Sequence, residues 1–231
     1  MFSFYHILGI VLAYLIGSIP TAVWVGKIFY QKDVRDFGSG NAGATNTFRV
    51  LGKKAGIPVL LFDVTKGSLA VLLAYQFSTA QPQSATFVNL QLVFGVAALL
   101  GHIFPIYVGF RGGKGIATLL GIVIAIQPAA AAWCLVVFII VFLSTKYVSL
   151  ASMLASICYP LIVNLAYQTE ITSLAVFSVC IALMVLGTHT KNIRRLIQGN
   201  ENRANFNFGK SKGHIQADST EISEKPIEKQ E

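Results

Sequence analysis

Six apolar stretches dominate the chain, at residues 4–26, 56–77, 86–110, 115–144, 147–167 and 171–190. Each is long enough to matter. A bilayer crossing takes about 20 mostly apolar residues, because roughly 30 Å of hydrocarbon is covered at about 1.5 Å per helical residue. Backbone polar groups in lipid must bond to one another, so such stretches become helices. Of the 231 residues, 54% are hydrophobic and 12% charged, where a soluble domain carries about 25% charged. The expected class is an all-α integral membrane protein.

The charge distribution sets the expected topology. Residues 115–144 would fit one steeply tilted helix or two short ones broken at Gln127-Pro128. No Lys or Arg lies in residues 1–26, 76–110, 116–145 or 147–190, whereas residues 27–54 hold six, Arg111 and Lys114 lie together, and Lys191, Arg194 and Arg195 open the C-terminal part. Two helices there give seven transmembrane helices and bring every basic residue except Lys66 to one side. A single helix would strand Lys146 opposite the other basic loops. The preference for cytoplasmic Lys and Arg therefore selects seven spans, with the N-terminus outside and the C-terminus cytoplasmic. Residues 1–26 lack the basic start of a cleaved signal and are read as the first span.

The net charge of +8 belongs to this topology. Residues 1–199 carry 13 basic and 4 acidic groups, and the remainder 5 and 6, so the excess lies at a cytoplasmic lipid surface. No basic-aromatic array suggests nucleic-acid binding. Cys134, Cys158 and Cys180 fall inside apolar spans and read as small packed side chains. A membrane domain is expected over residues 1–206, followed by a disordered polar cytoplasmic tail over 207–231, which lacks large apolar residues in number.

Between the first two spans, Gly38, Gly40 and Gly43 spell G-x-G-x-x-G, with Asp63 twenty residues on. That is the spacing of a dinucleotide fingerprint, but the preceding "YQKDVRDF" is too charged for the buried strand the fingerprint requires. A P-loop also fails, since Gly115 stands where Ser or Thr is needed and Val108 where the first glycine belongs. What remains is phosphate chemistry without a nucleotide fold. Glycines free backbone N–H groups to converge on an anion, and a following helix adds positive dipole. Ser39, Asn41, Thr45 and Asn46 offer side-chain hydrogen bonds, and Arg49 and Lys114 offer charge.

Two further polar stretches are expected on the same face: "GFRGGKGIAT" from Gly109 and "THTKNIRRL" from Thr188. Glycine loops also serve as plain turns, and their cations as orientation signals. Three polar segments converging on one face favour an anion site. His102 and His189, near the cytoplasmic ends of spans three and seven, are read either as proton-transfer groups or as capping residues, and His6 as interfacial. Asp63 and Lys66 share a helix face inside span two and are expected to pair toward the bundle interior.

"GSGNAGATNTFR" (38–49), "GHIFPIYVGFRGGKGIAT" (101–118) and "THTKNIRRLIQGNENR" (188–203) together resemble the three cytoplasmic motifs of bacterial acyl-phosphate:glycerol-3-phosphate acyltransferases, the PlsY family. The resemblance implies a seven-helix enzyme of the bacterial inner membrane, with its active site facing the cytoplasm. It would move a fatty acyl group from acyl phosphate to the 1-hydroxyl of glycerol 3-phosphate, giving lysophosphatidic acid for phospholipid synthesis. It implies Ser39, His102, His189 and Lys114 as catalytic residues, and Asn41, Thr45, Asn46, Arg49, Gly113, Thr118, Asn192 and Glu201 as substrate-binding, with Gly38, Gly40 and Gly43 as the phosphate cradle. The partners implied are glycerol 3-phosphate, long-chain acyl phosphate, the bilayer and a soluble enzyme that makes acyl phosphate. No cofactor or metal is expected.

The chemistry suits this inventory. Acyl phosphate is a mixed anhydride whose leaving group is phosphate, so the protein must align an alcohol with the carbonyl and stabilise developing charge, with no covalent acyl intermediate required. The base is His189 or a substrate phosphate. The alternatives are a transporter of phosphorylated metabolites and a non-catalytic scaffold. A transporter site would lie near mid-membrane between repeated halves, but these motifs hug one face and no repeat is found.

Overall fold

The computed structural model describes residues 4–204, so the expected tail at 207–231 lies outside the described residues. Regular structure among the described residues is entirely helical. The N-terminal apolar run forms α1 (Phe4–Ser18) and α2 (Thr21–Tyr30), interrupted at Ile19-Pro20, where the proline lacks an N–H and disfavours helix at the residue before it. A short helix, α3 (Ala44–Leu51), lies in the first polar loop, ahead of α4 (Lys53–Leu72) and α5 (Ala74–Phe77). Next come α6 (Ala85–Ile103), α7 (Ile116–Ile126), α8 (Pro128–Thr145), α9 (Val148–Leu161), α10 (Thr172–Thr188) and α11 (Thr190–Ile197). A 3-10 turn, not a strand, spans Val34–Asp36 ahead of the glycines. The strand that a dinucleotide fingerprint needs is therefore missing from this loop.

Two pairs of helices pack backbone to backbone and so fix where the polar loops emerge. At the contact of α1 with α6, a Cβ on Gly17 would fall 2.0 Å from Ala98 O, and one on Gly101 2.3 Å from Tyr14 O. Where α4 meets α7, a Cβ on Gly67 would lie 2.1 Å from Thr118 O, and one on Gly121 1.9 Å from Val64 O. In lipid, where apolar side chains gain little by leaving the solvent, such close small-residue contacts drive helix association. They clamp the end of α6 and the start of α7 against α1 and α4. By contrast α8 buries only Ala130 and Ala131, and its exposed Trp133, Ile140 and Leu143 suit contact with lipid.

Among the described residues, five helical stretches are long and apolar enough to cross a bilayer: Phe4–Tyr30, Lys53–Phe77, Ala85–Val108, Pro128–Thr145 and Val148–Ala166. The pair α10 and α11, bent by 61°, makes a sixth if taken as one span. Residues 115–144 do break between Ile126 and Pro128, and the proline opens α8, where its missing N–H leaves no bond unmade. α7 has 11 residues, about 16 Å at the helical rise and short of a hydrocarbon core. Length and composition therefore give five or six crossings, and the seventh of the expected count rests on α7.

Candidate active site

The first polar loop is folded largely by one buried side chain. Asn46, 1% exposed, donates through Nδ2 to Val34 O at 2.7 Å and Phe37 O at 3.1 Å. Its Oδ1 accepts from the Ser39 backbone N–H at 2.9 Å and from Ser39 Oγ at 3.1 Å. The loop is thus tied to the helix that follows it. Gly38 and Gly40 take left-handed backbone, with φ of 62° and 71°, which glycine adopts without strain. Gly43 caps α3, and its carbonyl accepts from Asn46 N, Thr47 N and Thr47 Oγ1. Ser39, Gly40, Thr45 and Arg49 remain exposed, on the face where an anion would meet the loop and the first N–H groups of α3.

The second loop leaves α6 and folds back over it. Gly112 N bonds Ile103 O at 3.1 Å and Gly113 N bonds His102 O at 3.2 Å. A side chain at Gly113 would strike the ring, because its Cβ would lie 2.3 Å from His102 Nε2. The ring itself is buried, with Nδ1 3.0 Å from Thr118 Oγ1 and 3.8 Å from Asp63 Oδ1. Asp63 in turn pairs with Lys66 at 2.8 Å and accepts from Thr21 Oγ1 at 3.2 Å, while Lys66 also donates to Ile19 O at 2.8 Å. Asp63 and Lys66 thus form the inward-facing pair expected from their spacing. The cleft among Thr21, Ala42, Asp63, Lys66, His102 and Gly112 holds only about 10 Å³, room for about one water. It supports the two loops and is too small to receive a phosphate.

The third segment closes on the second. Lys114 Nζ donates to Asn192 Oδ1. Asn192 Nδ2 donates to Glu201 Oε1 at 2.8 Å, which also accepts from Ser149 Oγ at 2.8 Å. Glu201 Oε2 is buried and has no hydrogen-bond partner among the described residues. Burial pulls the Lys114 ammonium down to about 8; Glu201 opposes the fall, while Arg195 and Arg49 add to it. His189, at the bend between α10 and α11, is buried, with Nδ1 2.8 Å from Val185 O. A carbonyl only accepts, so in the neutral ring Nδ1 carries the hydrogen and Nε2 keeps the lone pair.

The three polar segments expected from the sequence therefore meet. Arg35 in the first loop bonds Val108 O and Arg111 O in the second, and Lys114 in the second bonds Asn192 in α11. Not every candidate points outward: Asn46 is spent on the first loop, and His102 and Thr118 bond each other beneath the second. Three contributors lie outside the motif reading. Arg35 and Asp33 were visible only as adjacent charges. Ser149 belongs, with Ser152 and Ser156, to a buried stripe along α9, and that helical spacing of hydroxyls in an apolar span was the available signal.

A family profile described as glycerol-3-phosphate acyltransferase matches residues 7–199. A glycerol-3-phosphate acyltransferase of Enterococcus faecalis is 44% identical over 204 residues, covering 85% of this chain and 91% of the relative. One from Listeria monocytogenes is 47% identical over 190 residues, covering 82% and 92%. Among solved structures, the glycerol 3-phosphate form of PlsY (YgiH), an integral membrane glycerol 3-phosphate acyltransferase, superposes with a TM-score of 0.77 at 36% identity, covering 87% of this chain and 96% of that one. The lysophosphatidic acid form of PlsY superposes with a TM-score of 0.73 at the same identity. Matches of this length and identity, on a helical membrane fold whose three motifs meet at one site, show that the chain belongs to the glycerol-3-phosphate acyltransferase family.

Proposed function

We propose that this acyltransferase uses acyl phosphate as donor, transfers the acyl group to the 1-hydroxyl of glycerol 3-phosphate and releases lysophosphatidic acid and phosphate. The observation that carries the proposal is the meeting of two separate polar sets, the Ser39 loop with Arg49 and Lys114 with the Asn192–Glu201 chain, joined through Arg35. Each substrate carries one phosphate, so each set serves one. The solved relative's glycerol 3-phosphate and lysophosphatidic acid forms support the same acceptor and product here.

In this reading Gly38, Ser39, Gly40, Asn41, Gly43 and Thr45, with Arg49, form the loop that holds one phosphate, and Lys114 with Gly113 holds the other. Glu201 Oε2, the spare buried acceptor, takes a glycerol hydroxyl. Attack by the 1-hydroxyl on the acyl carbonyl forms the ester C–O bond and breaks the bond to the phosphate oxygen. The phosphate leaves with that electron pair, and His189 Nε2 or the phosphate itself takes the hydroxyl proton. Asn46, His102 and Thr118 hold the loops in place for this step. Seven crossings with α7 as the short fourth one, the N-terminus outside, and a cytoplasm-facing site in the bacterial inner membrane complete the proposal.

Purified protein in detergent should make lysophosphatidic acid from glycerol 3-phosphate and long-chain acyl phosphate without nucleotide, metal or a second protein. Turnover with acyl-CoA and none with acyl phosphate would overturn the donor. No product from either donor, with folded protein, would overturn the reaction. For topology, single cysteines at Gln83, Pro128 and Thr169 in a background without Cys134, Cys158 and Cys180 should react with an impermeant thiol reagent outside intact cells. A cysteine at Gly52 should not, and its labelling would reverse the orientation.

A further inference from the structure

Arg35 uses its whole guanidinium. Nε and Nη2 make a forked pair with the Asp33 carboxylate, to Oδ1 at 3.0 Å and Oδ2 at 2.7 Å. Nη1 crosses to the second loop, donating to Val108 O at 3.0 Å and Arg111 O at 3.4 Å. Both side chains are largely buried, at 14% and 12% exposure, which partly shields the forked pair from water and salt. Asp33 also accepts from the Arg35 backbone N–H at 3.0 Å and pairs with Lys27 at 3.2 Å. The Arg35 guanidinium holds the Asp33 carboxyl well below the usual carboxylate range, and the pair stays ionised through neutral pH.

Arg35 lies at the centre of the 3-10 turn Val34–Asp36, and its neighbours on both sides matter. Val34 O and Phe37 O are the two acceptors of Asn46, whose Oδ1 holds Ser39. On the far side, Arg111 is followed by Gly112 and Gly113, pinned to Ile103 O and His102 O, and then by Lys114. A continuous path of short bonds thus runs from Ser39 through Asn46, the 3-10 turn and Arg35 to the loop of Lys114.

We propose that Arg35, anchored by Asp33, is a positioning residue that fixes the spacing between the Ser39 loop and the Lys114 loop and thereby aligns acyl donor with acceptor. The proposal rests on the reading that these loops hold the two substrates. Neither residue needs to touch substrate. Each loop binds its own phosphate, so loosening the clamp leaves binding nearly intact and spoils the approach of hydroxyl to carbonyl, where about 1 Å of misplacement lowers the rate roughly a hundredfold. A lysine would keep the charge and still fail, because one ammonium lacks the planar fork that spans a carboxylate and two carbonyls.

The test uses the purified full chain in detergent as wild type, Arg35→Lys, Asp33→Asn and the double variant. Wild-type formation of lysophosphatidic acid first decides the donor and acceptor reading. The single variants should then lose about 10- to 100-fold in kcat, with KM for each substrate within about threefold of wild type, and the double variant should be no worse than the singles. Unchanged kcat in folded Arg35→Lys, or a raised KM at unchanged kcat, would overturn the clamp. Spin labels on cysteines at Thr45 and Arg111, in a background without native cysteines, give a readout independent of turnover. Their distance distribution should broaden in Arg35→Lys and in Asp33→Asn, and an unchanged distribution in both would overturn the clamp whatever the reaction proves to be.

Discussion

Ser39 is held by Asn46, seven residues along the chain, whereas Lys114 is held by Asn192, 78 residues away. The first site segment is self-contained. Its glycines, its cap and its organising side chain lie within twelve residues of one another, and the bonds among them are local. The second is assembled from the α6–α7 loop, α9, α11 and the segment after it, and exists only when the bundle is packed. Losing a residue of the self-contained loop removes a ligand and its local support together. Losing a residue of the assembled cluster removes a ligand from a scaffold that survives.

That contrast orders the expected effects. Ser39→Ala should reduce kcat by about 100- to 1,000-fold, the usual consequence of losing a donor to the reacting phosphate, toward which the hydroxyl turns from Asn46 Oδ1 when substrate binds. Steady-state kinetics on folded protein check it, and near wild-type turnover would move Ser39 out of the chemistry. Asn46→Ala should approach that loss and also lower the melting temperature, because the Val34 and Phe37 carbonyls and the Ser39 N–H lose their partner. Because Asn46 acts through Ser39, the double variant should turn over no more slowly than Ser39→Ala; additive losses would show that Asn46 also meets substrate.

Lys114→Ala should lower kcat/KM by about 10- to 100-fold, the equivalent of about 1.5–3 kcal/mol for one charge-assisted contact, with an unchanged melting temperature. A lower melting temperature would put Lys114 in the scaffold and blur the distinction between the two regions. Its lowered pKa adds a pH signature. With the ammonium held down to about 8, the charge that binds phosphate is present below that pH and lost above it, so kcat/KM should fall as pH rises through 8. Lys114→Arg, which stays charged, should abolish that limb of the profile, and a profile identical to wild type would assign it to another group. The smallest effect is expected on α8: Ile140→Val, at a side chain 60% exposed, should leave activity and melting temperature within error.

Apolar length and the placement of Lys and Arg were enough to establish a helical membrane protein and to put the break at Gln127-Pro128, because lipid leaves the backbone no other option. The glycine loop was legible for a related reason. Left-handed turns and a helix cap are local demands, and Gly38, Gly40 and Gly43 answer them within the sequence itself. The three motifs stood out as stretches, because each is polar where its surroundings are not. Which polar groups face inward was decided only by tertiary structure. Asn46 and Ser39 look alike in sequence, yet packing buries one and exposes the other. His102 is fixed by Thr118 and Asp63 from two other helices, and Arg35 becomes a bridge only because α6 delivers the Val108 and Arg111 carbonyls beside it. Such contacts depend on the close approach of glycine-bearing helices across 50 to 90 residues of chain, and no local pattern encodes the partner that a buried polar group will find.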